Sequence, residues 1–347
     1  MTTTDTPDTA VPQDPQHGAG DSTGPGRRRP ALREMTRDLG LVVALVALLV
    51  VGVATSGERF LSLSNLMVIL QQAAIIGVIS IGVTFVITSG GIDLSVGSVL
   101  GLATVWATTL ATQTMAQDFH WIVMVFAALA VGTAAGVING AIVAYGRVVS
   151  FIATLAMLVA ARGLAEIISD RKTQIVRVDG FRDTFRADVL GIPVIVWIFL
   201  VVAAAGWFLL NRTTFGRRTV AIGGNPEAAR LAGIKVRRHT VMVFALSGLT
   251  AGIAAVMMIA RTTAGTSTNG YLYELDAIAA VVVGGTLLMG GRGSIIGTVL
   301  GVLVFATLTN IFIQNGLSIS AQSLAKGGII VVAVLLQQRF AARSRST

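Results

Sequence analysis

Long apolar runs broken by short polar stretches occupy most of the chain from about residue 39 onward. About ten of them are long enough for an α-helix to cross about 30 Å of hydrocarbon. They lie at roughly 39–57, 64–88, 93–112, 119–145, 150–168, 190–211, 239–261, 274–290, 293–314 and 320–338. The pattern predicts an all-α, polytopic membrane protein with about ten transmembrane helices. Residues 1–30 are rich in Thr, Asp, Pro and Gly, show no apolar periodicity, and read as a disordered cytoplasmic tail. Nothing there reads as a signal peptide, since the first apolar run starts late and has no cleavage site. Residues 31–347 then form one transmembrane domain.

The polar interruption at 215–238, FGRRTVAIGGNPEAARLAGIKVRR, carries a helix of its own. Asn225 is a good N-cap, Pro226 suits the first helical position, and Gly233 stands where a left-handed residue ends a helix. Between them, Glu227, Ala228, Ala229, Arg230, Leu231 and Ala232 make about two turns, too few to span a bilayer or to be stable alone in water. Such a helix needs a surface to pack against.

Composition agrees with the membrane reading: 54% of residues are hydrophobic, 12% are charged, and the mean hydropathy is +0.78. The net charge of +9 reads topologically, because basic residues gather in cytoplasmic loops. Arg27, Arg28, Arg29, Arg33 and Arg37 precede the first run and place the N-terminus inside. Alternation then puts Arg147, the 215–238 segment, Arg292 and the tail with Arg339, Arg343 and Arg345 inside as well, so both termini are cytoplasmic. One loop strains the rule: 169–189 falls outside yet carries Arg171, Lys172, Arg177, Arg182 and Arg186, nearly balanced by Asp170, Asp179, Asp183 and Asp188. There is no compact basic domain for a nucleic acid. The absence of cysteine excludes disulfides, thiol nucleophiles and thiolate metal sites.

An internal repeat supports the topology. Gly90–Gly101, GGIDLSVGSVLG, aligns without gaps on Gly290–Gly301, GGRGSIIGTVLG, with six of twelve positions identical. Both copies fall at a cytoplasmic turn between an inward-running and an outward-running span, so they share one orientation.

The chemistry-bearing residues are few. None of the lysines, Lys172, Lys235 and Lys326, follows a glycine, so no phosphate-cradling loop is present. The histidines lie in the tail or at span ends with no metal-ligand spacing. Catalytic and metal sites are expected to be absent, and no cofactor is expected in this chain. Asp93 interrupts an apolar region; it or Ser95 caps the next span with Gly97 allowing close packing, or these residues gate a pathway. Gln72, Thr84 and Thr88 lie within spans, either lining a pathway for a polyhydroxylated solute or joining helices. Arg162 and Glu166, one turn apart, are expected to form a structural ion pair rather than a proton relay.

GGIDLSVGS (Gly90–Ser98), AIGGNPEAARLAGI (Ala221–Ile234) and YELDAIAAVVVGGTLLMGGRGSIIGTVLG (Tyr273–Gly301) resemble, in this order, the membrane permease subunits of bacterial ABC importers for ribose, xylose, arabinose and related sugars. The likeness covers about residues 40–338. It implies a multi-pass protein of the plasma or inner membrane, a homodimer of permease chains, a sugar-loaded external binding protein, and ATPase subunits inside. It also implies that the short cytoplasmic helix is the coupling helix that seats in the ATPase. Asn225, Pro226 and Gly233 would set it, Ala228, Ala229, Leu231 and Ala232 would supply apolar contacts, and Glu227 and Arg230 would orient it. The permease itself would carry out no covalent chemistry. The alternative is an ion-coupled secondary sugar carrier, which the scarcity of membrane carboxylates disfavours.

Overall fold

The computed structural model describes residues 1–2, 30–329 and 331. The expected tail at 1–30, the end of the expected tenth span and the basic C-terminal tail fall almost wholly outside the described residues. Helix α1 (Pro30–Ser56) leads through the one-turn α2 (Glu58–Leu61) into α3 (Leu63–Thr88). After a turn come α4 (Val96–Ala107), α5 (Leu110–Asp118), α6 (Ile122–Ala144) and α7 (Ser150–Ser169). A small polar assembly follows, made of β1 (Gln174–Ile175), α8 (Asp179–Arg186), β2 (Asp188–Val189) and β3 (Ile192–Pro193). Next are α9 (Val194–Arg212), α10 (Thr214–Gly224), α11 (Pro226–Leu231) and α12 (Val236–Thr262). Then come β4 (Ala264–Gly265), α13 (Tyr273–Val283) and α14 (Ile295–Gln314). A last helix runs over 319–329.

Among the described residues, seven helices are long and apolar enough to cross a membrane: Asp38–Ser56 of α1, then α3, α6, α7, α9, α12 and α14. Two further runs read as spans are interrupted. The run at 93–112 is cut where the Thr108 hydroxyl turns back to the Thr104 carbonyl (2.8 Å) and Thr109 starts α5 by accepting from the Thr112 amide. The run at 274–290 holds only the short α13, which stops at Gly284 and at Gly285 in the left-handed region (φ 85°).

α3 and α12 form the centre, while α1 lies at the edge with only 11% of its most apolar window buried. α6 and α12 approach closely because Gly132, Gly136 and Gly140 face Gly248, Gly252 and the α12 backbone, so that a Cβ at Gly140 would lie 2.7 Å from the Val241 Cα. In lipid, where apolar tails compete equally with leucine, such close backbone contact is a main source of helix association. Polar links add to it. Asn65 of α3 and Asn310 of α14 exchange reciprocal amide bonds of 3.1 and 2.8 Å. Lys326 of the last helix pairs with Asp276 of α13 at 2.9 Å.

The α8 region lies at the opposite end of α9 from α11. It accounts for the basic loop that strains the charge rule. Glu166–Arg171 (2.9 Å), Asp170–Lys172 (2.6 Å) and Asp179–Arg182 are ion pairs. Phe181 and Phe185 of α8 pack together with ring centroids 4.8 Å apart, and Phe185 meets Trp121 edge-on.

Candidate functional site

The short helix forms where its local signals place it. The Asn225 side chain accepts from the Glu227 and Ala228 amides at 3.1 and 3.0 Å, and Pro226 occupies the first turn. At the other end the Gly233 amide donates to the Arg230 carbonyl and the Ile234 amide to the Ala229 carbonyl, with Gly233 at φ 83°. That pair of bonds is a Schellman ending. Leu231 is 74% exposed, whereas Ala229 is only 4% exposed. Ala229, expected among the outward contacts, therefore faces the protein's own body. In a helix this short, a residue that anchors it inward cannot also face a partner. Ala228, Leu231 and Ala232 stay outside. Glu227 and Arg230 grip each other, with Arg230 donating to both carboxylate oxygens at 2.6–3.2 Å. Those bonds hold the Glu227 carboxyl below its ordinary range.

What α11 hangs from was not legible in the motif. The last two residues of α10, Gly223 and Gly224, lie against both copies of the repeat. Gly290 contacts the Gly90 backbone and the Gly223 carbonyl, and Gly223 itself leaves no room for a Cβ against the Thr88 carbonyl and the Gly291 amide. The Gly291 amide donates to the Thr88 carbonyl at 2.9 Å, joining the two turns. Gly90 and Gly290 both take left-handed φ values, 87° and 84°. Three glycine backbones, Gly90, Gly223 and Gly290, thus meet two residues ahead of the Asn225 cap. Thr84 and Thr88 are fully buried beneath this joint: Thr84 meets the Thr298 hydroxyl at 2.8 Å and Thr88 turns to its own helix. Thr84 joins two helices, Thr88 bonds within its own, and neither faces open space. Gln72 is half-buried on α3.

The second halves of the two repeats grip the same broken span. On α4, Gly97 makes room for the Gly270 carbonyl and the Glu274 carboxylate, and Gly101 for the Asn269 and Ser267 carbonyls. On α14, the aligned Gly297 touches Gly284, and Gly301 faces Ala280 and Gly284. Unwound residues 266–272 and the short α13 therefore lie between two small-residue faces that carry the aligned repeat sequences. Irregular backbone at this depth needs internal partners. Arg162 supplies them, donating to the Ser267 and Asn269 carbonyls, the latter at 3.0 Å. The expected Arg162–Glu166 pair does not form, because the Arg162 fork is drawn to these carbonyls and Glu166 bonds Arg171 at the helix end. Glu274, buried with one carboxylate oxygen unpartnered among the described residues, was missed; an acid opening an apolar run is the same signal that singled out Asp93. Arg162→Ala leaves two buried carbonyls without their charged donor, and the purified protein should lose about 2–3 kcal/mol of stability. A lowered Tm measures this, with Arg162→Lys recovering only part because an ammonium lacks the fork.

Asp93 ties the first turn to α12. Its carboxylate accepts from the Ser95 amide (3.0 Å), the Ser95 hydroxyl (2.6 Å) and the Ser247 hydroxyl (2.8 Å), while Asn139 of α6 donates to the Ser95 hydroxyl (2.9 Å). Ser95 precedes α4 but its side chain caps nothing. The pair builds a buried bridge among α4, α6 and α12 in place of the expected cap.

Residues 65–335 match the family described as branched-chain amino acid transport system / permease component. The chain is similar to the ribose import permease protein RbsC of Escherichia coli (strain K12), with 39% identity over 86% of this chain and 92% of that protein. It is 41% identical to the ribose import permease protein RbsC of Bacillus subtilis (strain 168), over 84% of this chain and 90% of that one. It is 35% identical to the L-arabinose ABC transporter permease protein AraH of Azospirillum brasilense, over 90% of this chain and 91% of that one. No solved structure matches it.

Proposed function

The chain belongs to the branched-chain amino acid transport system / permease component family, and from that premise we propose that it is the membrane-spanning permease subunit of an ATP-driven importer for a monosaccharide or related polyol. The observation that carries this reading is α11: a short, well-capped helix with Leu231 exposed at its tip, attached at its root to both repeat turns. A partner ATPase binds Ala228, Leu231 and Ala232. Closure of the ATPase on nucleotide drags α11 and α10 as one body. The glycine joint passes that displacement to the turns at 89–95 and 284–294, and so to α4, α13 and α14. The gripped segment 266–283 is the element that shifts between inward and outward access. It slides along glycine faces that offer no side chains to interlock.

Two copies of the chain assemble with two ATPase subunits, and an external sugar-binding protein delivers the solute at the α8 end. Both termini lie on the α11 side, in the cytoplasm, where the arginines of 212–238 gather. The chain needs no cofactor of its own, since the energy enters through α11. Asp93, Ser95 and Gly97 act in the gate by holding α4, and not by touching sugar. The test is sugar uptake by proteoliposomes carrying permease, ATPase and binding protein. Uptake should require ATP, stop when the ATPase is omitted, and be unaffected by collapse of proton and sodium gradients. Uptake that persists without the ATPase and follows an ion gradient would overturn the reading.

A further inference from the structure

α13 opens with two acids in its first turn, Glu274 and Asp276. Asp276 is paired with Lys326 of the last helix at 2.9 Å. Glu274 is only 8% exposed, and its Oε2 has no partner among the described residues. A buried carboxylate without a charged partner is costly, even where a helix N-terminus offsets part of its charge. A cation stands close by and is engaged elsewhere. Arg162 donates to the Ser267 and Asn269 carbonyls and makes no ion pair among the described residues.

Helix α4 sets the distance between the two groups. A Cβ at Gly101 would lie 2.8 Å from the Arg162 Nη1, and a Cβ at Gly97 would strike the Glu274 Oε2. Positions four apart on a helix are neighbours, with Cβ sites about 5–6 Å from each other. The guanidinium and the free carboxylate oxygen therefore rest on one face of α4, one turn apart. Both glycines leave that face bare, so no side chain of α4 separates them. A change of rotamer carries an arginine head across one turn.

We propose that Arg162 is a latch with two positions and that Glu274 is its second partner. The inference rests on the importer reading, in which segment 266–283 shifts between access states. In this structure the guanidinium holds residues 266–272 through their carbonyls. In the other access state it lets those carbonyls go and pairs with Glu274. The unwound segment is then free of Arg162, while α13 keeps its contacts with Lys326 and with Gly297 and Gly301 of α14. Glu274 is a positioning residue: it gives the guanidinium a buried counter-charge once the carbonyls have left.

Glu274→Gln keeps the shape and removes the charge. In proteoliposomes with permease, ATPase and binding protein, D-ribose, L-arabinose and D-galactose are supplied in turn. The variant should lose ATP-driven uptake by at least about tenfold with the ATPase still bound, and Glu274→Asp should recover part. A second readout reports the latch itself. The Asn269 amide lies 3.3 Å from the Thr104 hydroxyl. Thr104→Cys with Asn269→Cys in the cysteine-free chain should therefore form a disulfide on mild oxidation while the segment is held. Adding Glu274→Gln to that pair should speed the disulfide several-fold in the purified complex, because release is then disfavoured. If the parent imports a sugar, and Glu274→Gln either imports it equally or leaves the disulfide rate unchanged, the latch is wrong and the importer reading stands. If ATP drives no uptake of any of the three by the parent, the importer reading falls and the disulfide decides. A faster disulfide with Glu274→Gln then supports the latch, and an equal rate overturns it.

Discussion

Replacing Leu231 with glutamate is expected to abolish ATP-driven uptake and release the ATPase from the permease, with the membrane fold unchanged. Leu231 is a large apolar side chain left 74% exposed at the tip of a rigid helix. The permease gains nothing by burying it, so a polar replacement costs the isolated chain little. In the assembled importer it would fill a pocket of the ATPase, and a carboxylate forced into that pocket loses its hydration with no partner provided. An anchor of this kind is worth about 2 kcal/mol or more, a weakening of the ATPase contact by about 30-fold. Co-purification and uptake should both fail, while yield from the membrane and Tm stay as in the parent. Ala229→Glu is a poorer probe. Ala229 is turned inward, and a charge there would dislodge α11 itself, so loss of function would not separate docking from folding.

The adjacent glycines Gly223 and Gly224 should behave as opposites. A Cβ on Gly223 would collide with the Thr88 carbonyl and lie 2.5 Å from the Gly291 amide, whereas a Cβ on Gly224 meets nothing within 4 Å. Gly223→Ala must therefore open the Gly291–Thr88 hydrogen bond or lift α10 away from the turns. Overpacking against backbone, which cannot rotate aside, costs about 1–3 kcal/mol. The strain falls on the link between α11 and the gate, and ATP-driven uptake should drop at least about tenfold, equivalent to about 1.4 kcal/mol. The ATPase should still bind, because the outer face of α11 is untouched. Gly224→Ala should transport normally and, by replacing a helical glycine, should be neutral or stabilising by about 0.5–1 kcal/mol. Equal uptake by the two variants would show that the joint transmits nothing.

The parts of the site that could be read in the sequence are those set by near neighbours. Asn225, Pro226 and Gly233 fix the limits of α11 by hydrogen bonds that reach only a few residues, so the motif and the helix agree. The repeat was equally visible, but its consequence was not: the contact of Gly90 with Gly290 and Gly223 joins segments far apart in sequence. Hydropathy also hid the breaks in two spans. An apolar run records surroundings free of water, and it is blind to the ends of helices inside it, at Thr108–Thr109 in one run and at Gly284 and Gly285 in the other. The spacing of Arg162 and Glu166 permitted an ion pair. Arg162 instead reaches across to another segment, and Glu166 finds Arg171 beside it. Asp276 and Lys326 illustrate the converse, a pair between α13 and the last helix that no local spacing announces.

The central claim is that α11 seats in an ATPase. It is tested most directly by Leu231→Cys in the otherwise cysteine-free chain, treated with a short bifunctional crosslinker in membranes that contain the full importer. The account predicts a permease–ATPase adduct formed through this position, and none from Gly163→Cys, in the half of α7 that leads toward α8, where a Cβ meets nothing. Full uptake with no adduct at Leu231→Cys would contradict it.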